Sequence, residues 1–192
     1  METLLKNKKV IAFDFFGVIC SEVAPIWFQK FFPKEKALKL KEQYLQPADL
    51  GKISFDSLLS GLGELVTVPP SKIEADWLTQ AKIDDEVVSI VETLQNDFKV
   101  VLFSNAVPKF LRQILAKNNL ERLFDFIIIS SEIGIVKPDP AFFAKALETI
   151  NNLPKDVLFI DDNSENVRAA NKFRIESVVF QDVDTLKQLI LK

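Results

Sequence analysis

Five short apolar runs recur along the chain, at residues 9–15, 98–103, 126–129, 156–160 and 176–180. Each is rich in Val, Ile and Phe and lacks the polar alternation of a half-exposed strand, so each reads as a strand buried on both faces. From the second run to the last, every gap holds a helical period, over residues 109–118, 141–151 and 163–173. This alternation predicts parallel βαβ units, and so an α/β, Rossmann-like parallel sheet of about five strands with helices on both faces. Side chains signal two of the helix starts. Asp139 stands ahead of Pro140, and Asn163 or Ser164 stands ahead of the segment carrying Asn166 and Arg168.

Residues 21–83 break the alternation with helical periodicity alone, punctuated by Pro25, Pro33, Pro47, Gly51 and Pro69-Pro70. A stretch of that length is far too long for an ordinary connection. We expect residues 1–20 and 84–192 to form the α/β core, and residues 21–83 a separate helical cap roofing the end of the first strand. Trp27, Phe28, Phe31, Phe32 and Tyr44 in this stretch could line a pocket, but aromatics at helical spacing usually belong to a core.

With 192 residues, 48% of them hydrophobic, the chain can bury one ordinary core plus a modest insertion. A net charge of −3 and no basic run beyond Lys8-Lys9 leave no footprint for nucleic acid. Cys20 is the only cysteine, which excludes an intrachain disulfide and deprives a thiolate metal site of partners. The apolar stretch 10–20 is split by Asp14, and no run approaches the length of a membrane span, so a cytoplasmic protein is expected. Histidine is absent, so acid–base and ligand duties fall on carboxylates, hydroxyls or lysine.

Chemistry is concentrated at two strand ends. Asp14 follows Val10-Ile11-Ala12-Phe13, and Asp161-Asp162 follow Val157-Leu158-Phe159-Ile160. Carboxylates just outside the ends of parallel strands converge in the crevice of an open sheet, where such a cluster suits a metal, a phosphate or both. Taken singly, each acid also reads as a turn or helix cap.

Four segments in order resemble the motifs of the haloacid dehalogenase superfamily, its phosphatase branch in particular. They are Val10-Ile11-Ala12-Phe13-Asp14-Phe15-Phe16-Gly17-Val18, Leu102-Phe103-Ser104-Asn105, the stretch from Ser130 through Gly134-Ile135-Val136-Lys137 to Pro140, and Phe159-Ile160-Asp161-Asp162-Asn163. The resemblance implies Mg²⁺-dependent hydrolysis of a small phosphate monoester, a sugar phosphate among the candidates. Asp14 would be the nucleophile, giving an aspartyl-phosphate that water then cleaves. Ser104 and the Asn105 backbone N–H would hold phosphoryl oxygens, and Lys137 would supply counter-charge. Asp14, the main-chain carbonyl of Phe16 and Asp162 would hold the metal. Asp161, which points the other way from an extended strand, would act through water or orient the loop.

Two positions depart from the pattern. Phe16 stands where such phosphatases usually carry a second Asp that protonates the leaving group, a loss typically costing about 10²–10⁴ in rate. An aryl phosphate, which needs no such proton, should therefore be hydrolysed better than an alkyl phosphate. Arg174 stands where many relatives have Gly; if its backbone is left-handed, the side chain costs on the order of 1 kcal/mol. Two rival functions follow from Phe16: a metal-independent 2-haloacid dehalogenase, or a ligand-binding protein that has lost turnover.

Overall fold

Parallel strands need crossovers of a dozen or more residues, and the helical periods between the apolar runs supply them. The computed structural model describes residues 4–190. From the N-terminus the elements are β1 (Val10–Phe13), α1 (Ala24–Phe28), α2 (Lys34–Asp49), α3 (Phe55–Val66), α4 (Pro70–Gln80), α5 (Asp85–Leu94) and β2 (Lys99–Ser104). They continue with α6 (Pro108–Lys117), β3 (Phe126–Ile129), α7 (Ser130–Ile133), α8 (Pro140–Ile150), β4 (Val157–Asp161), α9 (Ser164–Lys172), β5 (Glu176–Val179) and α10 (Val183–Ile190). All four strand pairings are parallel, in the order β3-β2-β1-β4-β5. The chain leaves β1 to one side through β2 and β3, then returns to β4 on the other side. That reversal opens a crevice at the carboxyl end of β1.

Alternation along each strand sends side chains to opposite faces. Ile11, Phe13, Leu102 and Ile160 enter one apolar cluster. Ala12, Phe103 and Phe159 enter the other, closed by Phe142, Phe143 and Ala146 of α8. The first cluster runs without a break into the helical segment through Trp27, Phe55, Leu58 and Trp77, so α1–α4 share the core of one sheet face. Between residues 21 and 83 there are helices and no strand; Cys20 and Ile83 form an isolated antiparallel bridge at its neck.

The signalled caps form. Asp139 accepts from the Ala141 N–H at 2.9 Å ahead of α8, and Asn163 accepts from the Glu165 N–H at 2.8 Å ahead of α9. Pro47 does not punctuate: it lies inside the last turn of α2, which runs on to Asp49. Arg174 is left-handed, with φ of 66°, at the position just past α9 where glycine is favoured. Arg174→Gly is expected to raise stability by about 0.5–1 kcal/mol, read from the urea midpoint; a lowered midpoint would refute the strain.

Candidate active site

Register brings the three acids together. Phe13 is level with Leu102 on one side and Ile160 on the other, so Asp14 emerges beside Phe103 and Asp161. Asp161, the last residue of β4, is fully buried, while its neighbour Asp162 points the opposite way and is half-buried. One oxygen from each of Asp14, Asp161 and Asp162 lies within 4.8 Å of the others.

Lys137 enters this group from the loop before α8, with its side chain out of solvent. Its Nζ lies 3.0 Å from Asp14 Oδ1 and 2.7 Å from Asp161 Oδ2, and donates to the Phe103 carbonyl at 2.7 Å. An ammonium has three N–H groups, and here each has an acceptor. Burial alone would lower the Lys137 pKa, but the Asp14 and Asp161 carboxylates outweigh it and the net direction is upward. Asp14 is held well above the ordinary carboxylate range, chiefly by burial; Lys137 opposes the shift and Asp161 adds to it. Lys137 offsets the burial only in part, because one ammonium serves two buried carboxylates and Asp162 adds a third charge nearby.

The two adjacent aspartates are differently committed. Asp161 accepts from Lys137, from Asn166 Nδ2 at 3.1 and 3.0 Å, and from the Asn163 N–H at 2.8 Å. Asp162 sits over Gly17, whose φ is +89°; a Cβ there would collide with the Asp162 carboxylate. Burial, then Asp161, pushes Asp162 up to about 6.

Ser104 ends β2 fully buried, its hydroxyl without a partner among the described residues, while Asn105 reaches the cavity wall. The Asn105 side chain clasps the Lys137 backbone, donating to its carbonyl and accepting from its N–H, each at 2.8 Å. That clasp went unread in the sequence, as did Asn166. Its only signal is position, since the first turn of α9 follows directly on the acidic pair.

In front of Asp14 and Asp162 lies a cavity of about 370 Å³. Phe16 forms part of its wall and stacks on Phe110 (centroids 6.0 Å, planes 8° apart). Phe110 in turn meets Phe55 and Trp77 from the helical segment, each at 5.5 Å. The aromatics singled out in the sequence lie elsewhere. None of Trp27, Phe28, Phe31, Phe32 and Tyr44 is on this wall, and Trp27 and Phe28 are completely buried. No arginine is on it either, and Arg112 pairs with Glu132 at 2.9 Å.

The helical segment also brings charge to the cavity, through Glu22, Lys41 and Asp49. Lys41 pairs with Glu22 at 3.2 Å. Asp49, half-buried at the end of α2, is pushed up to about 7 by burial; Lys41 and Lys137 lower it and Glu22 raises it. Its unfolded carboxyl titrates near 4, so the folded state holds an extra proton between about pH 4 and 7. Stability is lost as pH rises through that window and stays lost above it. Asp49→Asn should therefore gain on the parent between pH 4.5 and pH 8, by about 1–2 kcal/mol after allowing for its partial exposure. Urea unfolding with chelator reads the difference, and a pH-independent gap would refute it.

Among the described residues no helix is long and apolar enough to cross a membrane. The chain is 26% identical over 166 residues to Sesquiterpene phosphatase astK of Aspergillus oryzae, covering 84% of each. It is 32% identical over 111 residues to Drimenol cyclase drtB of Aspergillus calidoustus, a match over 56% of this chain and only 21% of that protein. Its fold superposes with a TM-score of 0.78 on a haloacid dehalogenase family enzyme from Bacteroides thetaiotaomicron, solved with magnesium and inorganic phosphate, at 22% identity over 93% of this chain and 98% of that one. The family model for haloacid dehalogenase-like hydrolases matches residues 8–174, which contain β1 to β4, the three acids, Lys137 and the helical segment. The chain belongs to that hydrolase family.

Proposed function

We propose that this hydrolase is a Mg²⁺-dependent phosphatase acting on a phosphate monoester with an apolar organic group. One observation carries the metal and phosphate: three carboxylates cluster around one another with a single ammonium, fully engaged by two of them and the Phe103 carbonyl, leaving surplus negative charge that a hard divalent cation would balance. Asp14, Asp162 and the Phe16 carbonyl would hold the ion, and Asp161, already occupied by Lys137 and Asn166, would orient its neighbours. Bound there, Mg²⁺ would neutralise phosphoryl oxygens and hold them in line.

The chain's own residues do the rest. An Asp14 oxygen attacks phosphorus as the alcohol oxygen departs, and water then cleaves the resulting acyl phosphate. The unpartnered Ser104 hydroxyl and the Asn105 N–H donate to phosphoryl oxygens. Lys137 keeps the nucleophile's negative charge tolerable against an anionic substrate. The helices α1–α4 act as the cap, keeping bulk water from the acyl phosphate.

The aromatic wall of Phe16, Phe110, Phe55 and Trp77 favours an apolar leaving group over a sugar, which would strand its hydroxyls against rings. The sesquiterpene phosphatase relative agrees with this preference. With Mg²⁺, kcat/KM for an aryl or isoprenoid phosphate is expected to exceed that for glucose 6-phosphate by about 10²-fold or more, from the burial of a few apolar carbons. Equal efficiency for the sugar phosphate would sink the apolar assignment.

A further inference from the structure

The general acid expected two residues after the nucleophile is absent, yet another carboxyl lines the same cavity, at the end of α2. We propose that Asp49, at the end of α2, is the proton donor to the leaving alkoxide in this phosphatase, in place of the Asp missing at position 16. The inference rests on the phosphatase reading above.

Asp49 is held over the phosphate-binding end of β2 by a specific tether. Ser130 Oγ donates to the Asp49 main-chain carbonyl at 2.7 Å and accepts from the Ala106 N–H at 3.1 Å. One hydroxyl thus ties the end of α2 to the turn that carries Asn105 and Ala106, both on the cavity wall. Two residues on, Gly51 lies so close to the Ser131 carbonyl that a Cβ would strike it, so the two segments meet without side chains between them. Carrying α2 through Pro47 is what brings Asp49 to this point.

The chemistry of the side chain suits the role. No hydrogen bond among the described residues engages the Asp49 carboxyl, and it lines the cavity shared by Asp14 and Asp162. The charged groups facing it are Lys41 on its own helix, Glu22 from the loop after β1, and Lys137 from the core. Their balance with burial leaves its pKa at about 7, where a carboxyl carries a proton for much of the time at neutral pH. As the Asp14 oxygen–phosphorus bond forms and the phosphorus–alkoxide bond breaks, the Asp49 proton passes to the departing oxygen, releasing neutral alcohol and leaving a carboxylate. That carboxylate then accepts a proton from the water that cleaves the acyl phosphate, which restores the acid and frees Asp14.

The test is single-turnover release, with enzyme in excess and Mg²⁺ present, of 2-phenylethanol and of 4-nitrophenol from their phosphate esters. 4-Nitrophenolate leaves without a proton and 2-phenylethoxide does not. Asp49→Asn is expected to slow release of 2-phenylethanol by about 10²–10⁴ while 4-nitrophenol release stays within about threefold of the parent. Equal slowing of both esters, or of neither, overturns the proposal and leaves the phosphatase reading standing. No Mg²⁺-dependent release from either ester by the parent protein overturns both. Independently of any variant, the parent's rate for the alkyl ester should fall above about pH 7 relative to its rate for the aryl ester; parallel profiles count against Asp49 even if Asp49→Asn fails to fold.

Discussion

Asp14→Asn is expected to lower Mg²⁺-dependent hydrolysis of an aryl phosphate by about 10⁴–10⁶ while leaving the fold intact, the range seen when a covalent nucleophile is removed. The loss is large because the amide cannot form the acyl phosphate, whereas the phosphoryl donors and Lys137 remain in place. The fold survives because Asp14 is an expensive residue: burial and Asp161 both oppose its ionisation. The neutral amide keeps a carbonyl oxygen to accept from the Phe15 N–H, as the carboxylate does at 2.7 Å. Phosphate release and a urea denaturation curve, measured on the same preparation, check both halves. A variant within tenfold of the parent would remove Asp14 as nucleophile. A parent with no Mg²⁺-dependent turnover would leave the ligand-binding reading, and halide release from a 2-haloacid in chelator would establish a dehalogenase. Phe16 suits that last branch. Against it, no arginine lines the cavity to meet a substrate carboxylate, and the clustered Asp161 and Asp162 add negative charge that would repel one.

Lys137→Met should cost about 3–5 kcal/mol of stability in the metal-free protein, because it leaves Asp14 and Asp161 facing each other without their counter-charge. The Lys137 pKa is raised by those same carboxylates, so titration of the ammonium itself removes the contribution only as pH climbs through the folded lysine value. At the acid end the deficit should shrink for a different reason, because Asp14, already held well above the ordinary carboxylate range, takes up a proton as pH falls. Adding Asp161→Asn to Lys137→Met should return part of the loss, since one of the two stranded charges disappears. Urea unfolding of the four proteins in the cycle gives the coupling. If Lys137→Met lies within 1 kcal/mol of the parent at pH 8, the ammonium is not balancing the site.

The α/β alternation was legible because buried parallel strands must be continuously apolar, and the runs ending at Phe13 and Ile160 have no competing periodicity. Local chemistry was legible for the same reason. Asp139-Pro140 and Asn163 cap helices through side chains that reach only a few residues. The strain at Arg174 could be placed because a residue just past a helix has few backbone options. Pro47 was misread because proline ordinarily ends or kinks a helix, and local spacing does not show the Ser130 contact that holds the end of α2 two residues further on.

The order of strands and helices along the chain, the three acids at their ends and the lack of a carboxylate at position 16 can all be read from the amino acids alone. What surrounds them depends on how the chain folds. Only the parallel register sets Asp14 level with Asp161, and only folding shows Lys137 divided between two carboxylates while Asn166 claims one of them. Phe110 and Trp77 meet across 33 residues of chain, and the Ser130 tether reaches Asp49 across 81. Contacts at such separations leave no periodic trace in either segment, because each residue's choice is set by a neighbour that the local pattern does not contain.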